Sequence, residues 1–307
     1  MKTCPLFSIC GGCKYDFAAD DYRDKKIKLI DSWGVSDVPF WGKPGCRRRV
    51  DLCFADGFLG FFQRGTKNIV PVKNCPLVVP EINAILPKLA DLPWNGAGSA
   101  LITLCDNGLD MAVDSNVPYF SKEFKDSVSK LGFLRVTWNE VTVIQTEQPK
   151  ITFKNKTVDY PTGAFLQPTV ESENAIRNLV LDKAGGAKHT VDLFCGLGNF
   201  TFALGADGFD IAGTGVKRDL FKKPLSAKTL NNYDCIVMDP PRAGALEQSR
   251  EIAKSDVPRV IYVSCNPNTF KRDADVLIKS GYRMTELRAF DQFVGSEHWE
   301  LVAVFEK

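Results

Sequence analysis

With 307 residues, 44% of them hydrophobic, and 39 basic against 37 acidic side chains, the chain is long enough for two globular domains and too evenly charged for composition alone to demand a polyanionic partner. No run approaches the ~18 apolar residues of a membrane-spanning helix, and the opening MKTCPLFSICGGC lacks the apolar core of a secretory signal. A soluble, cytoplasmic protein with no membrane partner is expected. In such a reducing compartment ten cysteines point to a metal site or to catalysis rather than to disulfides.

In chain order, Cys4, Cys10 and Cys13 come first, spaced Cx5CxxC, with a distant fourth thiol at Cys75 in KNCP. Four thiolates suit either zinc or a [4Fe-4S] cluster, and the spacing does not choose between them. Basic residues gather in YRDKKIK (22–28), CRRR (46–49) and KITFKNK (150–156), each equally readable as a solvated face. Residues 47–160 read mostly as antiparallel strands, with two-residue turns at Asp56-Gly57 and Asn107-Gly108. Helical patterns at 80–92 and 120–132 make this half α+β. The join to the second half is expected in VDYPTGAF (158–165), giving domains 1–160 and 161–307.

From about residue 170 helices and strands alternate. HTVDLFCG, YDCIVMDPP and RVIYVSCNP are short, nearly continuous apolar strands, as in a parallel sheet covered on both faces. Ligands bind beyond the carboxyl ends of such strands, and all three carry unusual residues there. Gly196 and Gly198 permit a tight turn against a ligand, though such a turn is as often a plain connection. Asp239 stands before two prolines that stiffen the backbone. Cys265 lies between polar Ser264 and Asn266 at a strand end. By contrast Cys53, Cys105, Cys195 and Cys235 have apolar neighbours and read as buried small hydrophobes.

DLFCGLGNF, DPPRAG and SCNPNTFKRD, followed by DQFVGSEHWELVAVF and preceded by GAFLQPT, resemble in order the motifs of the bacterial 5-methyluridine RNA methyltransferases. The resemblance spans nearly the whole chain. It implies a Rossmann-like domain that uses S-adenosylmethionine, joined to an N-terminal α+β domain with an iron–sulfur site. It also implies transfer of a methyl group to carbon 5 of a uridine, in rRNA before tRNA. Cys265 then becomes the nucleophile that adds to carbon 6, and Glu300 the general base that removes the carbon 5 proton. Gln167 and Asp239 position the base, their groups suiting a uracil edge. Asp192, Phe194, Gly196, Gly198 and Asp219 join Gln167 and Asp239 in the cofactor bed. The cysteines become ligands of a [4Fe-4S] cluster: Cys4, Cys10, Cys13 and Cys75. Arg47, Arg48 and Arg49 are candidate phosphate contacts, at most two of them on one face of a strand. The small N-terminal β-barrel of many family members is not expected, nor is a protein partner; monomer is the default.

The chain departs from the family in one region. Between Phe200 and Asp234 there is room for little more than one strand-helix-strand unit, each of which takes about 30 residues. The second strand, with the acidic residue that holds the cofactor ribose, and the helix after it are expected to be missing; Asp207 and Asp210 are the only substitutes nearby. Thr169 also replaces the family's Asn. The competing function is therefore an RNA-binding relative that no longer methylates.

Overall fold

The structure, a computed structural model, describes residues 3–307. A seven-stranded sheet runs in the order Ile69–Pro71, Phe58–Phe62, Arg49–Ala55, Ala97–Cys105, Gly108–Ser115, Arg135–Trp138, Val141–Gln145. It is antiparallel except where Gly108–Ser115 meets Arg135–Trp138. The expected hairpin forms at Asp56-Gly57, whose φ values of 52° and 81° are those of a turn matched to strand twist. Helices Pro80–Ala90 and Lys122–Val128 cover the sheet. Ile82, Leu86 and Phe124 join Leu52, Ile102 and Met111 in one buried cluster. Within it the rings of Phe54, Trp94, Phe124 and Trp138 pack at centroid distances of 4.7–6.1 Å, each pair adding roughly 0.5–1.5 kcal/mol beyond area burial.

The second sheet has eight strands: Phe40–Trp41 (β1), Thr190–Leu193 (β2), Asp207–Asp210 (β3), Val216–Lys217 (β4), Cys235–Met238 (β5), Arg259–Ser264 (β6), Arg283–Asp291 (β7) and Glu300–Glu306 (β8). Their spatial order is β1-β7-β8-β6-β5-β2-β3-β4, parallel throughout except that β8 runs against both β6 and β7. Every residue of β2 and β5 is buried, as a parallel sheet covered on both faces requires. No helix among the described residues is long and apolar enough to cross a membrane.

Two expectations are corrected here. The N-terminal segment does not belong wholly to the first domain: β1 pairs with β7, some 250 positions along the chain, and Ile30 lies in the core of the second sheet. Lys26 of helix Tyr22–Ile27 is fully buried on the same side, bridged to Asp291 at 2.9 Å. Nor is the second strand of the cofactor region missing. It is β3, with Asp210 at its end, and the helix after it is what is absent. Residues 211–215 return the chain directly to β4, which sets Val216 beside Phe209 in parallel register. Parallel neighbours ordinarily need a crossover of a dozen or more residues.

Candidate active site

β2 ends in a sharp turn. Phe194 has φ 62°, a left-handed conformation uncommon for a bulky residue, and Gly196 and Gly198 follow at 52° and 91°. Helix Asn199–Leu204 begins directly after them. The short return from β3 packs onto this turn: Thr214 N–H donates to the Gly196 carbonyl at 3.0 Å. A Cβ on Gly213 would lie 2.0 Å from the same oxygen. Asp210 completes the join, its carboxylate accepting from Gly196 N–H and Ala212 N–H, both at 2.9 Å.

A cavity of about 720 Å³ extends from this turn to the ends of β5 and β6, within the size range of small-molecule sites. Phe194, Gly196, Asp210, Asp219 and Phe221 line one part, and Gln167, Asp239, Cys265 and Glu300 another. Residues brought together from five separated motifs thus border one space. In volume, and in joining a glycine turn to a thiol, it suits a nucleoside-bearing methyl donor beside a planar base. Asp219 is less free than its placement implies: its carboxylate accepts from Phe221 N–H and Lys222 N–H at 3.1 Å. The bond from Lys222 N–H is the main cause that holds its carboxyl below the ordinary carboxylate range.

Cys265 is half-buried between β6 and helix Pro267–Lys279, whose N-cap Asn266 accepts from Asn268 N–H. Burial pushes its thiol up to about 11, the charges of Glu300 and Asp239 push the same way, and Arg242 opposes them. Cys265 therefore rests as a thiol. Asp239 is pushed up to about 7 by burial. Glu300, fully buried on β8, lies well above the ordinary range because of burial first and of Asp239 second. Two carboxyl groups close together in an apolar site hold a proton between them near neutral pH.

Gln292, which the motifs do not single out, organises the site. Its Nε2 donates to Glu300 Oε2 at 2.6 Å and to Gln167 Oε1 at 2.8 Å, and Gln167 Nε2 donates on to Asp239 at 3.3 Å. The Gln292 carbonyl is buried without a partner. An amide at a strand end beside a motif carboxylate is the only signal the sequence offers for it.

Other expected residues lie elsewhere. Asp192 is buried beneath the glycine turn and accepts from Thr201 Oγ1 at 2.6 Å, so it supports the turn without facing the cavity. Gly198 likewise shapes the turn and does not border the space. The arginines are partly engaged within the protein. Arg48 is buried in an ion pair with Glu173, and its Nε donates to the Gln167 carbonyl at 3.0 Å. Arg49 donates to the Leu166 carbonyl at 3.0 Å and stacks on Phe165. Arg47 donates to the Val294 carbonyl at 2.6 Å. Each of the three gives a donor to backbone that carries the site, which a count of charges cannot foresee. Cys4, Cys10, Cys13 and Cys75 border a separate cavity of about 250 Å³. Among the described residues no three Cys, His, Asp or Glu side chains converge closely enough to hold a single metal ion.

Known proteins resemble this chain. A sequence profile of the tRNA (Uracil-5-)-methyltransferase family matches residues 216–307. An uncharacterized RNA methyltransferase of Mesorhizobium japonicum is 35% identical, with 99% of this chain and 84% of the relative aligned. That alignment takes 346 positions for a chain of 307 residues, so the relative has internal residues that this chain lacks. The 23S rRNA (uracil(1939)-C(5))-methyltransferase RlmD of Salmonella typhi is 26% identical over 99% of this chain and 81% of its own. Among solved structures, the tRNA (uracil-54, C5)-methyltransferase of Pyrococcus abyssi in complex with S-adenosyl-L-homocysteine shares the fold. Its TM-score is 0.74 at 19% identity, covering 93% of this chain and 82% of that one. Sequence identity across nearly the full length, with thiol, carboxylates and glycine turn on one cavity, identifies the chain as a member of the RNA methyltransferase family of these relatives, S-adenosylmethionine-dependent and carrying the uracil-5-methyltransferase profile over residues 216–307.

Proposed function

We propose that the protein methylates carbon 5 of a uridine in RNA, 23S rRNA before tRNA, through a covalent adduct between Cys265 and the uracil ring. One observation carries this: Cys265, Glu300, Asp239 and Gln167 border the same cavity as the glycine turn of β2. The relative that names a 23S rRNA position aligns along nearly the whole chain, which favours rRNA.

The cavity is recessed, so the uridine enters it splayed out of its stack. S-adenosylmethionine supplies an electrophilic methyl group. Cys265 first gives its proton to the Asp239–Glu300 pair, whose raised affinity for protons suits it as acceptor, and that proton passes on to solvent. The thiolate then forms the C6–S bond, and the ring electrons move to O4 as an enolate. Carbon 5 takes the methyl group, and S-adenosylhomocysteine leaves. Glu300 removes the carbon 5 proton, its electron pair restores the C5–C6 double bond, and the thiolate departs. Gln167 and Asp239 hold the uracil edge, while Gln292 keeps Glu300 and Gln167 aligned. RNA containing 5-fluorouridine blocks the proton removal, so it should leave a covalent protein–RNA adduct that requires S-adenosylmethionine. An undiminished adduct in Cys265→Ala refutes the mechanism.

We assign Cys4, Cys10, Cys13 and Cys75 to a [4Fe-4S] cluster. Four thiols bordering one cavity suit either a cluster or zinc, and the resemblance of the Cx5CxxC and distant CP pattern to the family favours the cluster. Iron and sulfide analysis of anaerobically purified protein, beside Cys10→Ala, tests this. The RNA-binding alternative is favoured only by Asp210, whose oxygens already accept two backbone bonds. Titration with S-adenosylmethionine separates the two, since absent binding removes the enzyme from consideration.

A further inference from the structure

Between the cysteine cavity and the catalytic cavity runs the loop 291–300, which brings in Gln292 at one end and Glu300 at the other. Arg47 borders the cysteine cavity and donates to the Val294 carbonyl of that loop at 2.6 Å. Its Nε is buried with no partner. The Arg47 backbone is tied to the other wall: its N–H donates to the Leu77 carbonyl and its carbonyl accepts from Val79 N–H, both at 2.9 Å, just beyond Cys75.

A second link is made by Gly295, the next residue of the loop. Its carbonyl accepts from Lys14 and Tyr15 N–H at 2.7 and 2.9 Å, immediately after Cys13. A Cβ at Gly295 would lie 3.1 Å from the Cys13 sulfur, and φ is 82°, so both contact and conformation require glycine. The buried Nε–H of Arg47 lacks an acceptor at this cavity, and a cluster held by the four thiolates would supply both an acceptor and a counter-charge.

We infer that Arg47 is a positioning residue for methyl transfer, joining the occupant of the cysteine cavity to the loop 291–300, so that loading of the four thiols fixes where Gln292 and Glu300 stand. This rests on the assignment of the cysteines to a [4Fe-4S] cluster. Arg48 and Arg49 hold the backbone of Leu166 and Gln167 in the same manner; Arg49 borders the thiol cavity too, but of the three only Arg47 donates to the loop 291–300.

The test uses the full-length protein purified anaerobically, as wild type, Arg47→Gln and Arg47→Lys. Four quantities are read: iron content, cluster reduction potential by EPR titration, hydrogen exchange of residues 291–300, and methylation kinetics. Arg47→Gln should keep its iron and shift the potential downward, because a positive charge that favours the reduced cluster is gone. It should exchange faster in 291–300 and lose roughly ten- to a hundredfold in kcat with KM for S-adenosylmethionine unchanged. Arg47→Lys should recover the potential and part of the rate. Iron-loaded Arg47→Gln with wild-type exchange and kcat overturns the inference. Should that variant not fold, stripping iron from the wild type with a chelator serves instead: faster exchange in 291–300 supports the coupling and unchanged exchange refutes it. Wild-type protein without iron overturns the cluster assignment itself; slow exchange in its 291–300 loop then refutes control by loading.

Discussion

Replacing Asp192 by asparagine should change how stability responds to pH. Asp192 is fully buried at the base of the glycine turn, with one oxygen on the Thr201 hydroxyl and the other unpartnered. Burial pushes its carboxyl up to about 7, against the Thr201 bond and with a further push from Asp239. In the unfolded chain the same group titrates at about 3.9. The folded value is the higher one, so the stabilisation is complete below about pH 4 and is lost as pH rises through 7. Between pH 5 and pH 8 the loss amounts to roughly 3 kcal/mol at about 1.4 kcal/mol per unit. Asparagine keeps the size and an oxygen for Thr201 and cannot ionise. Urea unfolding at several pH values should therefore show Asp192→Asn gaining on the wild type by up to that amount from pH 5 to 8. Asp239 and Glu300 titrate in both proteins and largely cancel in the difference. Parallel stability curves would mean that Asp192 is ionised and solvated in the fold, contrary to its geometry.

Glu300→Gln retains the shape of the site and removes the proposed base. Turnover should fall by roughly 10²–10⁴, and a protein–RNA adduct should build up on ordinary RNA in the presence of S-adenosylmethionine; retained turnover would assign proton removal to another group. Gly213→Ala places a methyl group 2.0 Å from the Gly196 carbonyl oxygen at φ 99°, where a side chain alone costs roughly 1–2 kcal/mol. Calorimetry should record affinity for S-adenosylmethionine at least about tenfold weaker, with a lower melting temperature, and unchanged values for both would separate this loop from the methyl-donor bed.

The features legible in the sequence were those that a strand end forces locally. An apolar run that stops at Gly196, Asp239 or Cys265 reveals a parallel strand and the place where a ligand meets it, and the cavity does collect these residues. Gln292 was not legible, because its importance comes from two partners, Gln167 and Glu300, one of them 125 positions away. The arginines misled for the opposite reason. Three adjacent basic residues look exposed in a sequence, yet Arg48 is buried against Glu173 and the other two are tied to carbonyl oxygens. β1 has two residues, too few to show a period, and its partner lies at the far end of the chain.

The short passage from β3 to β4 shows how one carboxylate is turned to a different use. At the end of a second strand such a group ordinarily takes the ribose hydroxyls of a nucleotide cofactor. Here the missing helix leaves five residues to reverse the chain and come alongside in parallel. Asp210 makes that possible by accepting from Ala212 within the return and from Gly196 across it. Two of its roughly four lone-pair sites are then committed before any ligand arrives, and a ribose shares the carboxylate with backbone amides. The loss falls on binding and not on chemistry, since Cys265, Glu300, Asp239 and Gln167 hang on β5, β6, β8 and the segment before residue 170, none of which the shortening touches. An interaction made equally in the ground and transition states changes KM and leaves kcat alone. The family's reaction can thus survive the loss of this helix, at the expense of affinity for the methyl donor.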